Sequence, residues 1–110
     1  MIPFPATNQN RKDMDSKYTT LEAVRAIVES ICGTDPLAPG RTRTQVASRT
    51  LLVNALLAQG RTEEETAQMI GYNRNTIHHY RDRLRDALTY AKCNPLLSAW
   101  WGQLKNVLGI

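Results

Sequence analysis

Residues 61–84 read RTEEETAQMIGYNRNTIHHYRDRL, and this stretch has the internal spacing of two helices joined by a tight turn. Thr62 is a suitable N-cap because its hydroxyl can accept from N–H groups of the first turn, and the three glutamates that follow complement the helix dipole. Gly71 stands where the turn requires a positive φ, four residues after the small Ala67, where the two helices are expected to approach closely. The pattern predicts a helix-turn-helix over about 62–91.

The second helix of this motif is expected to begin after Asn73, whose side chain can cap it. Ile77 follows Gly71 by six residues and is placed to pack against the first helix. The predicted apolar stripe of the second helix comprises Ile77, Tyr80, Leu84 and Leu88, and that of the first helix comprises Ala67, Met69 and Ile70. The opposite side of the second helix is therefore expected to be polar and exposed.

This exposed side carries side chains that can hydrogen-bond to DNA bases. A recognition helix places its N-terminal residues against base edges in the major groove, where arginine pairs with guanine and asparagine with adenine. Arg74 and Asn75 are the best-placed candidates. The predicted base contacts are Asn73, Arg74, Asn75, Thr76, His78 and His79. The alternative is an ordinary amphipathic helix whose polar face is only solvated.

Length and charge agree with one small binding module. The chain has 110 residues and a net charge of +4, which leaves room for a modest core but for no separate catalytic lobe. Residues 41–85 contain eight arginines and no lysine, and the planar fork of arginine can bond two phosphate oxygens at once. The predicted contacts with the DNA backbone or minor groove are Arg41, Arg43, Arg49, Arg61 and Arg83.

The rest of the chain predicts helices and no strands. Residues 1–16 are polar with two prolines and are expected to form a flexible arm before a helical domain over 17–110. Helical spacing predicts one helix from Thr19 or Thr20 to about Cys32, a loop over residues 33–40, and a long helix over about 44–59. The predicted fold class is therefore all-α, a small bundle of four to five helices containing the helix-turn-helix.

The C-terminal segment predicts an amphipathic helix over about 94–108, with Asn94 as its cap and Pro95 at its first position. Its apolar stripe either folds back on the domain's own core or contacts a homodimer mate or a larger protein partner. The candidate partner interface is Trp100, Trp101, Leu104 and Leu108. Binding to a membrane surface is disfavoured because the polar face has Lys105 as its one positive charge.

Several functional classes are not expected. No secretory leader or long apolar stretch stands out, which predicts a cytoplasmic protein with no membrane contact. Cys32 and Cys93 are isolated and are expected to be free thiols, with a disulfide between them as the alternative. His78 and His79 are adjacent and point about 100° apart on a helix, so they cannot share a metal. We expect no catalysis, metal, cofactor or small-molecule substrate because no nucleophile or ligand cluster has a useful spacing.

Residues 21–84 resemble the C-terminal DNA-binding domain of the bacterial replication initiator DnaA, which is related in fold to the Trp repressor. In that family a first helix leads to an Arg-x-Arg loop, a long aliphatic helix beginning near a further arginine, and a helix-turn-helix. The corresponding parts here are Arg41, Arg43, Arg49 and the segment LLVNALL, residues 51–57. The resemblance implies that Arg41 or Arg43 enters the minor groove and that Arg74, Asn75 and Thr76 enter the major groove.

The recognition helix departs from the family pattern. The family reads Gly-Gly-Arg-Asp-His-Thr-Thr-Val, whereas this chain reads Gly-Tyr-Asn-Arg-Asn-Thr-Ile over residues 71–77, about one residue shorter. The initiator's own target sequence is therefore not expected, and no GxxxxGK[ST] loop for an ATPase is found. The expected function is non-catalytic, sequence-specific binding of double-stranded DNA, as a regulator of transcription or an accessory factor of DNA replication or a mobile element. The alternative is a helical protein-interaction module that has lost DNA binding.

Overall fold

A computed structural model describes residues 19–90 and 94–110 of the chain, and these residues form five helices and no strand. The helices are α1 Leu21–Cys32, α2 Arg43–Ala58, α3 Glu63–Ile70, α4 Arg74–Thr89 and α5 Pro95–Leu108. The prediction of an all-α bundle of four to five helices is confirmed. The predicted arm over residues 1–16, Cys93, and the end of the motif at residue 91 lie outside the described residues.

Local capping residues begin and end these helices. The Thr62 hydroxyl accepts from the backbone N–H of Glu65, whose carboxylate in turn accepts from the N–H of Thr62, which completes a capping box. Asn73 caps α4 and Asn94 caps α5, each through its side-chain oxygen. Gly33 ends α1 in the left-handed region with φ of 78°. Helix starts and stops that depend on neighbouring residues were therefore predictable.

Helix α2 lies at the centre of the bundle and packs against all four other helices. Its residues 48–56 are all buried. The larger core joins α2 to α1 and α5 and includes Leu84 and Ala87 of α4. A smaller cluster joins Val53 of α2 to Ala67 of α3 and Ile77 of α4. The two helices of the predicted motif, α3 and α4, therefore both pack against α2.

Two residues assigned to the inner stripes are exposed instead. Met69 is 37 % exposed because Ala67 and Ile70 define the inner face of α3, and Met69 lies about 100° away from Ile70 on the helix. Leu88 is 45 % exposed, and Ala87 takes the buried position near the end of α4. Leu84 and Ala87 face the larger core formed with α1, α2 and α5, and Leu88 lies about 100° away from Ala87 on the helix.

Helix α5 folds back on the domain's own core, which is the first of the two alternatives for this segment. Leu97 and Leu104 are fully buried there, while Trp100, Trp101 and Leu108 are partly buried and pack against the same core. Leu104 therefore offers no surface to a partner in this conformation. Two other apolar side chains of α5, Leu96 and Val107, are exposed to solvent. None of the described helices combines the length and apolar character needed to cross a membrane.

Candidate nucleic-acid interface

The turn between α3 and α4 is fixed by backbone hydrogen bonds. The N–H groups of Gly71 and Tyr72 both donate to the carbonyl of Ala67, at 2.8 and 3.0 Å. Gly71 has φ of 88°, in the region that favours glycine, while a Cβ at this position would meet nothing within 4 Å. Glycine is therefore needed for the backbone conformation of the turn and not, as the sequence had suggested, for a close approach of the two helices.

Buried contacts hold α4 against the rest of the motif. Ile77 is fully buried between α2 and α3, as its spacing predicted. Asn54 of α2, also buried, donates from Nδ2 to the Tyr80 carbonyl at 3.0 Å, and the Tyr80 ring stacks on that of Tyr72 with centroids 6.3 Å apart. Helix α4 is thus held on its inner side, so that its outer residues have defined positions. Asn54 was not singled out in the sequence, because its partner is 26 residues away.

A groove lies between the beginning of α2 and the outer side of α4, with a volume of about 420 Å³. Its polar lining includes Arg41, Thr76, His79 and Arg83. A second groove adjoins it and is lined by Arg41, Arg43 and Arg83 among others. We call the surface formed by Arg41, Arg43, Thr76, His79 and Arg83 the basic groove. The fold thus brings the predicted basic loop together with the predicted recognition helix.

The basic groove is suited to an anionic ligand. None of the described residues that line these two grooves is acidic, although His79 and Arg83 also line an adjoining groove with Asp82 and Asp86. Tyr72 borders the groove, and burial raises the pKa of its phenol, which keeps this side chain neutral. A surface that combines arginine, histidine and hydroxyl donors can bind phosphate oxygens.

Arg49, a predicted backbone or minor-groove contact, also lines the first groove, but most of its side chain lies inside the protein. Its side chain is only 8 % exposed, and its Nε donates to the carbonyl of Pro36 at 3.1 Å. Its Nη2 donates to the carbonyl of Ala38. These bonds connect the loop over residues 33–40 to α2. Two donor groups of Arg49 therefore already have partners inside the protein. The sequence could not indicate this role, because the loop carbonyls are 11 and 13 residues away.

Arg61 also makes contacts within the protein. Its side chain is partly buried and donates to the backbone carbonyl of Thr19 at 3.1 Å and to the side-chain oxygen of Gln59. The bond to Thr19 connects the chain just before the N-cap of α1 with the segment between α2 and α3. Arg61 does not appear in the lining of the basic groove.

The predicted base contacts occupy different positions at the start of α4. Arg74 is 73 % exposed and Asn75 is also exposed, so both project from the tip of the helix. Thr76 and His79 line the basic groove. The oxygen of Asn73 is occupied by the N–H of Thr76 at 2.8 Å and by its hydroxyl at 3.1 Å, so that oxygen serves the helix cap.

His78 lies on the other edge of α4, where the carboxylate of Glu63 contacts several positively charged or hydrogen-bonding side chains. Glu63 of α3 lies 2.8 Å from Nη1 of Arg81, 3.2 Å from Nδ1 of His78 and 3.6 Å from Nε of Arg74. The pKa of Glu63 is lowered, first by the hydrogen bond from His78 and then by the charges of Arg81 and Arg74, despite partial desolvation. Arg81 was not among the predicted site residues, because its partner lies on another helix.

The second half of α4 is less suited to DNA. Asp82 lies 3.4 Å from Nε2 of His78 and 3.2 Å from Arg85, and Asp86 lies 3.6 Å from the same arginine. Carboxylates on this face would repel phosphate, although their charge is partly balanced by Arg85. The favourable surface is therefore the tip of α4 together with the basic groove.

The described residues offer little support for a metal site or a reactive thiol. Among them, no group of three or more His, Cys, Asp or Glu side chains is arranged to hold a metal ion. Cys32 is a free thiol, and burial raises its pKa to about 11, which leaves little reactive thiolate at neutral pH.

No protein-family model matches this chain, and comparisons with curated proteins and with solved structures likewise find no match. The resemblance of residues 21–84 to the DNA-binding domain of DnaA therefore stays a prediction from the sequence.

Proposed function

We propose that this chain is a non-catalytic, sequence-specific binding protein for double-stranded DNA. In this proposal the tip of α4, with Arg74 and Asn75, enters the major groove. The basic groove contacts the phosphate backbone or the adjacent minor groove. One observation carries the proposal: a capped helix-turn-helix presents an exposed arginine and asparagine beside a groove of arginines whose described lining has no acidic residue.

The resemblance to the DNA-binding domain of DnaA supports the same reading. The two arginines of the Arg-x-Arg loop, Arg41 and Arg43, border the groove that also contains Thr76 of α4. A cytoplasmic regulator of transcription, or an accessory factor of replication or of a mobile element, fits a module of this size. Because the base-contacting positions differ from the family pattern, we propose a target sequence distinct from that of the initiator.

The second candidate function is a helical protein-interaction module. Four exposed apolar or aromatic side chains favour it. Leu88 lies on α4, Tyr90 directly follows that helix, and Leu96 and Val107 lie on α5. Salt distinguishes the two functions, because binding to DNA releases counterions and weakens steeply with added salt, whereas an apolar protein contact does not. A dimer formed through these residues would also be compatible with DNA binding.

The decisive experiment compares two arginines of α4 on random-sequence duplex DNA over a range of salt concentrations. We expect Arg83→Gln to weaken binding to all sequences and to reduce the salt slope by about one, because a phosphate contact is lost. Arg85→Gln is the matched control, because it removes the same charge two residues away from a side chain paired with Asp82 and Asp86. Equal effects of the two substitutions would contradict the basic groove as the phosphate contact.

Base reading is tested by selecting preferred sites from a random library and then measuring variants on them. We expect Arg74→Ala and Asn75→Ala each to cost about 1–3 kcal/mol on the preferred site and to flatten the preference at one or two positions. Selectivity that is unchanged in both variants would contradict the assignment of α4 as the recognition helix. Absence of any salt-dependent DNA binding by the wild type would instead favour the interaction module.

A further inference from the structure

The two edges of α4 carry positively charged side chains in different surroundings. On one edge, Arg83 borders the basic groove, whose lining has no acidic residue, and an adjoining groove that contains Asp82 and Asp86. On the other edge, Arg74, His78 and Arg81 are spaced by four and three residues and therefore form one stripe of the helix. That stripe converges on a single carboxylate, Glu63 of α3.

Glu63 is held firmly in this position. It is the first residue of α3, directly after the capping Thr62, and its side chain is only 13 % exposed. Its shortest contact is the 2.8 Å ion pair with Arg81. A DNA phosphate that approached Arg81 would have to replace Glu63, which would leave a partly buried carboxylate without its closest partner. Arg81 is therefore less available to phosphate than its charge alone suggests.

Non-specific binding to DNA depends on how many phosphates a protein neutralises, whatever the sequence. An arginine that stays paired within the protein contributes little to that number, whereas base-edge contacts are unaffected. We propose that Glu63 is a specificity-determining residue, which holds Arg81 and His78 away from DNA phosphates and so suppresses sequence-independent binding along this edge of α4. This inference rests on the proposed DNA-binding function.

The lowered pKa of Glu63 agrees with this role, because the carboxylate stays ionised and paired at neutral pH. The groups that face it are Arg81, His78 and Arg74 from α4, and Asp82 faces His78 from the opposite side. The weak 3.6 Å contact with Arg74, which remains largely exposed, leaves that residue free to turn towards a base.

The test compares Glu63→Gln with Glu64→Gln. Both residues lie in the first turn of α3, and each substitution removes one negative charge, but Glu64 is exposed and has no ion pair with a described residue. We expect Glu63→Gln to raise affinity for random-sequence duplex by about 3- to 10-fold more than Glu64→Gln, with a salt slope steeper by about one. Affinity for the selected site should rise less, so the ratio of specific to non-specific binding falls.

Arg81 provides a second, independent measurement. In the wild type, Arg81→Gln should leave the salt slope almost unchanged, because the arginine is engaged by Glu63. In the Glu63→Gln background, the same substitution should return the non-specific affinity and the slope towards their wild-type values. A slope reduced by about one in Arg81→Gln alone would overturn the proposal, because Arg81 would then already contact phosphate.

The outcomes separate this inference from the proposed function. If the wild type binds DNA but Glu63→Gln and Glu64→Gln raise the affinity equally, only the role of Glu63 is overturned. The increase would then come from the loss of any negative charge near the DNA. Wild-type protein that shows no salt-dependent binding overturns the proposed function and this inference with it. Circular dichroism of each variant checks that the helices are retained.

Discussion

Burial decides what each arginine of the segment over residues 41–85 can do. One groove is lined by Arg41, Arg49 and Arg83, but Arg49 is buried there and donates to two loop carbonyls, whereas Arg41 and Arg83 are exposed. A buried carbonyl without a donor costs free energy, so the guanidinium of Arg49 stabilises the loop that leads to Arg41. The same residue type thus contributes to ligand binding at one position and to stability at another.

This distinction predicts different effects of substitution. Arg49→Met keeps an aliphatic side chain but removes the donors, and we expect it to lower the free energy of unfolding by about 1–3 kcal/mol in urea denaturation. Its salt slope for DNA binding should equal that of the wild type, unlike the slope of Arg83→Gln. Unchanged stability together with a reduced slope would show that Arg49 contacts phosphate and that its loop bonds are dispensable.

At the scale of elements, the helix-turn-helix depends on one apolar contact between α3, α4 and the central α2. Ile77 is fully buried in the small cluster with Val53 and Ala67. We expect Ile77→Asp to unfold the motif, because a carboxylate without a partner at this position costs several kcal/mol. Ile77→Val is the matched control and should cost about 0.5–1.5 kcal/mol. A thermal melting temperature of Ile77→Asp equal to that of the wild type would contradict the assigned packing.

Features that depend on nearby residues could be predicted from the sequence. The caps Thr62, Asn73 and Asn94 and the turn at Gly71 were predicted, because capping involves residues within about one helical turn. Helical spacing also placed Ile77 on the inner face of α4. These local features were sufficient to predict an all-α bundle and to locate most of its helix ends.

Features that depend on contacts between elements could not be predicted in the same way. Spacing shows which residues share a face of a helix, but not which neighbour covers that face. Leu88 shares the stripe of Leu84 yet is exposed, because the larger core covers Leu84 and Ala87 and does not extend to Leu88. For the same reason the ion pair between Glu63 and Arg81 and the burial of Arg49 appeared only in the folded chain.

At the scale of the whole molecule, the modest net charge of +4 is distributed unevenly. Glu63 and Asp82 balance positive side chains on one side of α4, and Asp35 pairs with Arg25 between α1 and the following loop. The lining of the basic groove contains none of these carboxylates, although Asp82 lies in an adjoining groove that shares His79 and Arg83 with it. A mildly basic chain can therefore present a locally positive surface, which is what steering towards DNA requires.

The same pairing makes stability depend on pH. Asp35 accepts from Nε of Arg25 at 2.8 Å and from the N–H of Leu37 at 3.0 Å. The hydrogen bonds from Arg25 and Leu37 lower the pKa of Asp35 to about 2, and the pKa of Glu63 is also lowered. Because these folded-state values lie below those of the unfolded chain, which are near 4, the stabilisation is fully present above about pH 5. It is lost as the pH falls through the folded-state values.

We therefore expect Asp35→Asn to be less stable than the wild type near neutral pH, because it removes the charged acceptor of Arg25. The difference in free energy of unfolding should shrink as the pH falls from about 5 towards 2, since over that range Asp35 takes up a proton in the unfolded chain before it does so in the folded protein. Urea denaturation at a series of pH values measures this difference. Asp86→Asn is the matched control, because its carboxylate is exposed and lies 3.6 Å from Arg85, and we expect only a small effect at any pH. A deficit of Asp35→Asn that stays constant down to about pH 2 would show that Asp35 acts through its shape and hydrogen bonds, and not through its charge.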